Sequence, residues 1–213
     1  MAWIFGVFLL LTAYLLGSIP TGYLTTKAVK GIDIREHGSG NTGATNVLRV
    51  VGKKAAASVL VVDLLKGVSA VLLTQWILTI AYANFPTFLE TVPWWMTIAG
   101  LLAIVGHSRS VWLNWTGGKS AATGLGVLLS LSWPVGLGVA GIFALTLTVF
   151  RIVSLGSIMA ALASVVLMLA LHQPLPYILL AIAGSFYVIL RHRTNIQRLM
   201  AGTEPRLGSQ SSS

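Results

Sequence analysis

Five stretches of the chain carry no Lys, Arg, Asp or Glu: Met1–Thr26, Gly67–Leu89, Thr91–Ser108, Ser120–Phe150 and Ile152–Leu190. A helix that crosses a bilayer needs about 20 predominantly apolar residues. The last two runs are too long for one crossing each. His172-Gln173-Pro174-Leu175-Pro176 divides the final run, because proline ends a helix and keeps the residue before it out of αR geometry. Ser132-Trp133-Pro134 divides the fourth in the same way. The pattern predicts seven crossings, at 2–24, 56–82, 94–108, 119–132, 134–150, 153–171 and 177–190. Ser120–Leu131 would rise only about 18 Å against a hydrocarbon core of ~30 Å, so a re-entrant element is the alternative there. The first run lacks the basic start and small-residue cleavage site of a secretory leader, and it reads as a span.

Composition sharpens this picture. Of the 213 residues 55% are hydrophobic and 9% are charged, where a soluble domain carries roughly 25% charged residues. That excludes an ordinary cytosolic globule, and the apolar content excludes a disordered chain. With no Cys there is no disulfide scaffold, thiolate metal site or cysteine nucleophile. Seven spans with the N-terminus outside put 26–55, 109–119, 151–152 and 191–213 in the cytoplasm. Those segments hold every Lys and Arg except Lys66, whereas the opposite loops hold only Glu90. The asymmetry obeys the positive-inside rule and favours an odd number of spans. Trp94-Trp95 suits an aromatic belt on the outer side. The expected fold is therefore an all-α integral membrane protein, one polytopic domain over 1–213 with a disordered tail from about 203. A net charge of +9 on an oily chain points to anionic partners, namely lipid headgroups or phosphates, and not to nucleic acid.

Three inner segments carry candidate chemistry. Gly38-Ser39-Gly40-Asn41-Thr42-Gly43-Ala44-Thr45-Asn46, followed by Arg49, combines small residues that expose backbone N–H groups with hydroxyl, amide and guanidinium donors. The plainer reading is a flexible Gly/Ser loop. The glycines match G-x-G-x-x-G, but no strand precedes them, so a dinucleotide fold is rejected. Thr116-Gly117-Gly118-Lys119-Ser120 resembles the tail of a phosphate loop, yet Leu113 stands where that motif needs glycine. What survives is Lys119 just ahead of a helix start, where an anion is favoured; the plainer reading is a basic residue at a membrane boundary. Gly106-His107-Ser108-Arg109-Ser110 approaches a nucleophile elbow without the α/β pattern that makes one. Asn114-Trp115-Thr116 is a glycosylation sequon on the side where it should be silent. In Arg191-His192-Arg193-Thr194-Asn195, His192 and Asn195 would share one face of a continued helix, whereas a stop-transfer cluster is the plainer account. Asp63 and Lys66 can pair at i,i+3 within their span, a structural pair being the cheaper reading. Ser154 reaches headgroup level or bonds its own helix. The acids on the inner side are few and scattered, which disfavours a two-metal lipid transferase.

Together, Gly38–Asn46 with Arg49, then Gly117-Gly118-Lys119, then Arg191-His192-Arg193 with Asn195 resemble the three signature loops of the bacterial acyl-phosphate:glycerol-3-phosphate acyltransferase family (PlsY). The resemblance runs from the first span to Asn195, and the family's seven helices agree with the count above. It implies transfer of a fatty acyl group from acyl phosphate to glycerol 3-phosphate, giving lysophosphatidic acid and phosphate, with no cofactor and no metal. The matching positions imply a catalytic set of Ser39, His192 and Asn195. They imply substrate contacts from Asn41, Arg49, Lys119, Ser154, Gly38, Gly40 and Gly118. Ser39 and neighbouring N–H groups would hold the acyl-phosphate phosphate, Arg49 and Lys119 would neutralise glycerol 3-phosphate, and His192 and Asn195 would orient the hydroxyl or the carbonyl. The family's reaction is described as substrate-assisted, a phosphate group taking the hydroxyl proton. Ser120 departs from the family, which usually has glycine after Gly-Gly-Lys. The His-and-Asp motif of acyl-CoA-using enzymes is absent. A carrier of a phosphorylated metabolite and a scaffold for anionic lipid are the competing classes; neither explains the glycine-rich loop.

Overall fold

The computed structural model describes residues 2–208, with side chains from Phe5 onward. Helix α1 (Ala2–Ser18) stops at Ile19-Pro20, since Pro20 has no N–H to continue the ladder. Helix α2 (Thr21–Lys30) follows and ends on Gly31, whose left-handed φ of 72° lets its N–H return to the Lys27 carbonyl. The span expected over 2–24 is thus present as one candidate crossing, interrupted at Ile19-Pro20 and extended to Lys30. A 3-10 turn over Ile34–Glu36 and the short α3 (Ala44–Val50) lead into α4 (Lys53–Ala81). The short α5 (Pro86–Leu89) precedes α6 (Val92–Ser108), and a 3-10 turn over Val111–Leu113 leads to α7 (Ala121–Leu131). Helices α8 (Trp133–Phe150), α9 (Val153–Ala170), α10 (Leu175–Arg191) and α11 (Arg193–Met200) complete the chain. Pro93, Pro134 and Pro176 stand in the first turns of α6, α8 and α10, where a missing N–H removes no bond. The described residues contain no strand, only one isolated bridge between Ser110 and Thr116.

Five helical segments are long and apolar enough to cross a membrane: Phe5–Lys30, Lys53–Ala81, Pro86–Ser108, Trp133–Phe150 and Val153–Ala170. A sixth is α10 with α11, bent by 62° at their junction. The seventh predicted crossing is α7, whose 11 residues make it a short apolar helix.

Helix α4 is the axis of one group, packed on α1, α6 and α7, while α8, α9 and α10 pack side by side and meet it through α7 and α6. Helices α4 and α7 approach closely because Gly67 and Gly126 face each other's backbone. A Cβ on Gly67 would collide with the Thr123 carbonyl, and one on Gly126 with the Leu64 carbonyl. Val71, Leu78, Val127, Val135, Met168 and Leu180 fill the shared core. Trp95 joins them, buried against Gly6, so only Trp94 of the expected aromatic pair is exposed. Phe8, Trp76, Leu145, Val166 and Phe186 point outward, each at least 63% exposed. That distribution suits a hydrocarbon surround, not water.

The tail expected from about residue 203 is held as far as the description goes. The Thr203 N–H bonds the Arg198 carbonyl and the Leu207 N–H bonds the Arg151 carbonyl. Residues 209–213 lie outside the described residues.

Candidate functional site

The glycine-rich segment is built, not slack. Asn46, 2% exposed at the start of α3, is its hub. Its side-chain carbonyl accepts the Ser39 N–H at 2.9 Å, and its amide donates to the His37 and Asn41 carbonyls, each at 2.9 Å. Asn41 in turn accepts the Gly43 N–H at 2.9 Å, an Asx turn that leads into α3. Gly38 and Gly40 have φ of 61° and 67°, and a Cβ at Gly38 would strike the Asn46 amide oxygen. The flexible-loop reading therefore falls: one buried amide satisfies three backbone groups and freezes the turn. Arg49 follows one turn later, in the last turn of α3.

The second segment lies on the C-terminal end of α6. The Gly118 N–H bonds the His107 carbonyl at 3.1 Å. A Cβ at Gly118 would collide with His107 Nε2, so glycine is the side chain that fits. Ser120 has a left-handed φ of 64°, and its buried hydroxyl donates to the Ile104 carbonyl at 2.6 Å while lying 2.8 Å from the Ser108 hydroxyl. Arg191 Nη2 donates to the Gly118 carbonyl at 3.3 Å. Between these anchors Lys119 projects to Asn195, donating from Nζ to its Oδ1.

The third segment differs from expectation in geometry. His192 is not inside a continuous helix; it is the break between α10 and α11. Its Nδ1 is 2.8 Å from the Val188 carbonyl. That contact places the proton on Nδ1 and leaves Nε2 as an acceptor. Asn195, one turn into α11, still turns toward the same space as His192 despite the bend.

These pieces meet around one cavity of about 240 Å³. Ser39, Asn41, Arg49, Lys119, Ser154, His192 and Asn195 all line it. Gly38, Gly40 and Gly118 do not; they shape the turns behind it. The other end is apolar, bounded by Leu125 and Leu128 of α7, Phe143 of α8, Ala160 of α9 and Leu180 of α10.

Glu204 is the residue that the sequence alone passes over. Its Oε1 accepts from the Ser154 hydroxyl at 2.7 Å and from the Asn195 amide at 2.6 Å, and its Oε2 accepts from Arg198 Nε at 2.7 Å. Ser154 therefore spends its hydroxyl on a distant carboxylate and not on its own helix. By holding the Asn195 amide nitrogen, Glu204 turns Asn195 Oδ1 toward Lys119. Rarity was the available signal, because Glu204 is the one acid after Glu90 in the sequence. Asn46 and Ser120 lay inside the quoted motifs without a role, and Arg198 sat one turn beyond them.

Electrostatics follow from this packing. Burial draws the Lys119 ammonium down to about 8; Glu204 opposes the shift, and Arg198, Arg191 and Arg49 add to it. Burial alone would raise the Glu204 carboxyl, but hydrogen bonds from Asn195, Ser154 and Arg198 hold it below the usual glutamate range. Burial also depresses His192, to about 4, against the pull of its bond to Val188, so the imidazole is neutral near pH 7. A pocket with Arg49, Lys119 and Arg198, the Glu204 carboxylate already bonded within it, Asp63 at its border and the neutral His192 imidazole as acceptor can bind an anion and receive or orient a hydroxyl proton.

The family model described as glycerol-3-phosphate acyltransferase matches residues 7–202. A glycerol-3-phosphate acyltransferase of Nostoc sp. is 56% identical over 205 residues, 94% of this chain and 91% of that protein. Glycerol-3-phosphate acyltransferase 2 of Rhizobium johnstonii is 58% identical over 213 residues, covering 97% of each. Among solved structures, the glycerol 3-phosphate form of PlsY, an integral membrane glycerol 3-phosphate acyltransferase, superposes with a TM-score of 0.84 at 38% identity, covering 95% of this chain and 96% of that one. Its lysophosphatidic acid form gives 0.82 at 37% identity, covering 95% of each chain.

Proposed function

This chain belongs to the glycerol-3-phosphate acyltransferase family and is a multi-pass membrane acyltransferase of glycerol 3-phosphate; from that premise we propose that its acyl donor is acyl phosphate and that the lined cavity is its active site. The single observation carrying this reading is the convergence of Ser39, Asn41, Arg49, Lys119, Ser154, His192 and Asn195 on one space, cationic at one end and apolar at the other.

The chemistry suits that space. Acyl phosphate is a mixed anhydride and arrives activated, so neither a covalent nucleophile nor ATP is required. The enzyme's task is to hold two phosphates together against their repulsion and to align a hydroxyl with the acyl carbon. The Ser39 hydroxyl holds the donor phosphate; the neighbouring N–H groups expected to assist are already bonded, those of Ser39 and Gly43 to the Asn46 and Asn41 side chains and that of Gly40 to the His37 carbonyl. Arg49 and Lys119 neutralise glycerol 3-phosphate. The glycerol hydroxyl oxygen bonds to the acyl carbon, the bond from that carbon to the phosphate oxygen breaks, and the hydroxyl proton ends on phosphate. His192 Nε2 and Asn195 orient the hydroxyl. Products are lysophosphatidic acid and inorganic phosphate.

The apolar end keeps the acyl tail out of water. At ~0.8 kcal/mol per methylene, moving a dozen methylenes into water would cost roughly 10 kcal/mol. Seven crossings, with the N-terminus outside and the site facing the cytoplasm of a bacterial plasma membrane, fit the placement of the basic residues. In that arrangement α7 is the short seventh crossing, and glycerol 3-phosphate enters from the aqueous side.

The deciding assay uses the detergent-purified protein, glycerol 3-phosphate and one donor at a time, with phosphate release and lysophosphatidic acid both measured. Turnover with acyl phosphate and none with acyl-CoA is expected. Turnover with acyl-CoA alone overturns the donor assignment.

A further inference from the structure

Beneath the Gly117-Gly118-Lys119 turn lies a buried ionic cluster that the proposed chemistry does not use. Asp63 and Lys66 of α4 and His107 of α6 are 2%, 5% and 8% exposed. Lys66 Nζ is 2.9 Å from Asp63 Oδ1, and it also donates to the Ile19 carbonyl at 3.0 Å. The same Asp63 oxygen is 3.5 Å from His107 Nδ1. On the other side of that imidazole, Nε2 fills the place that a Gly118 side chain would take, and the His107 carbonyl accepts the Gly118 N–H. A Gly117 side chain would likewise collide with the His107 carbonyl. His107 is thus the floor on which the turn rests, and Asp63 borders the face of His107 away from it.

We propose that Asp63, acting through His107, is a positioning residue for Lys119. The inference rests on the reading of Lys119 as a ligand of the glycerol 3-phosphate phosphate. Two observations favour it over a purely structural pair. A buried ion pair is a poor source of stability, since apolar side chains of similar volume pack as well or better. Asp63 also borders the reaction cavity itself, as does His107, so the cluster sits directly below the turn it supports. The Asp63 carboxylate bounds the His107 ring by contact and charge at 3.5 Å, without a hydrogen bond from Nδ1; the ring excludes any side chain at Gly118, and the resulting turn gives Lys119 one direction. A misplacement of the order of 1 Å at such a contact costs up to about a hundredfold in rate.

The test separates position from stability. Asp63→Asn alone leaves Lys66 buried without its partner, so it is paired as Asp63→Asn/Lys66→Met, which removes both charges. Steady-state constants for each substrate and thermal stability are measured on the purified, detergent-solubilised full chain. The double variant is expected to hold its melting temperature within a few degrees of wild type while KM for glycerol 3-phosphate rises about tenfold and KM for the acyl donor stays unchanged. His107→Asn keeps the Asp63–Lys66 pair and is expected to raise the same constant; it decides the matter if the double variant does not fold. Wild-type KM for glycerol 3-phosphate in either folded variant overturns the proposal. Lys119→Ala, assayed beside them, separates the two claims. An unchanged KM in Lys119→Ala would remove the underlying reading of the site, whereas a raised one with normal Asp63 and His107 variants would remove only the positioning role.

Discussion

The Glu204 carboxylate lies 2.7 Å from the Ser154 hydroxyl, fifty positions earlier in the chain. That bond draws the segment after α11 against the start of α9, and with it the amide of Asn195. Glu204→Gln keeps the shape but loses the charge that Arg198 and the two polar donors share. Hydrogen bonds to charged groups contribute about 1.5–3 kcal/mol, so kcat/KM should drop roughly ten- to hundredfold. Ser154→Ala removes a single bond to that carboxylate and should cost about tenfold. Steady-state kinetics on both variants, with circular dichroism to confirm folding, provide the check.

Arg49 and Lys119 approach one cavity from α3 and from the turn before α7. Truncating one partner of a charged, hydrogen-bonded contact costs about 2–5 kcal/mol. Arg49→Ala and Lys119→Ala should each lower kcat/KM by at least about thirtyfold on that scale. Lys119→Arg should not rescue, because a planar fork cannot replace a point charge at the Asn195 oxygen. Near-normal turnover in correctly inserted protein would refute the assignments.

Ser120 occupies a left-handed backbone position and offsets that strain with its bonds to Ile104 and Ser108. Ser120→Gly should be close to neutral, since relief of about 1–2 kcal/mol of strain balances the lost bonds. Ser120→Ala keeps the strain and loses the bonds to the Ile104 carbonyl and the Ser108 hydroxyl, leaving Ser108 its bond to Ile104, so it should lose about 1–2 kcal/mol. At about 2–4 °C per kcal/mol for a chain of this size, thermal melts in detergent resolve the two.

Lys119 is lowered from the ordinary lysine value to about 8. Its ammonium is therefore full below that pH and is lost as pH rises through it, well before a solvated lysine would titrate. KM for glycerol 3-phosphate should climb above pH 8 in wild type and stay flat over the same interval in Lys119→Ala. A pH titration of KM at constant ionic strength tests this, because salt screens phosphate contacts independently.

Much of the molecule was legible in one dimension. Charge-free runs and proline breaks located α4, α6, α8, α9 and α10 to within a few residues, because the cost of exposing charge to hydrocarbon acts on each residue locally. Pro20 was legible by the same rule but was read through, since the apolar run continues across it. The site's donors were also legible, as Ser39, Asn41, Arg49, Lys119, His192 and Asn195 stand in short distinctive motifs. Their supports were not. Asn46 looks like one more polar loop residue, Glu204 like part of a tail, and His107 like a stray imidazole at a helix end.

By itself the sequence determined the helical membrane class, the family and the residue types available to meet a phosphate. These depend on composition and on short contiguous patterns. Only the tertiary structure decided that Asn195 turns its oxygen to Lys119, that Glu204 enforces that choice, and that His107 carries the Gly118 turn. Each of those facts joins segments far apart in the chain. Hydrogen-bond direction and the absence of room for a Cβ are set by packed neighbours, which no local stretch of residues contains.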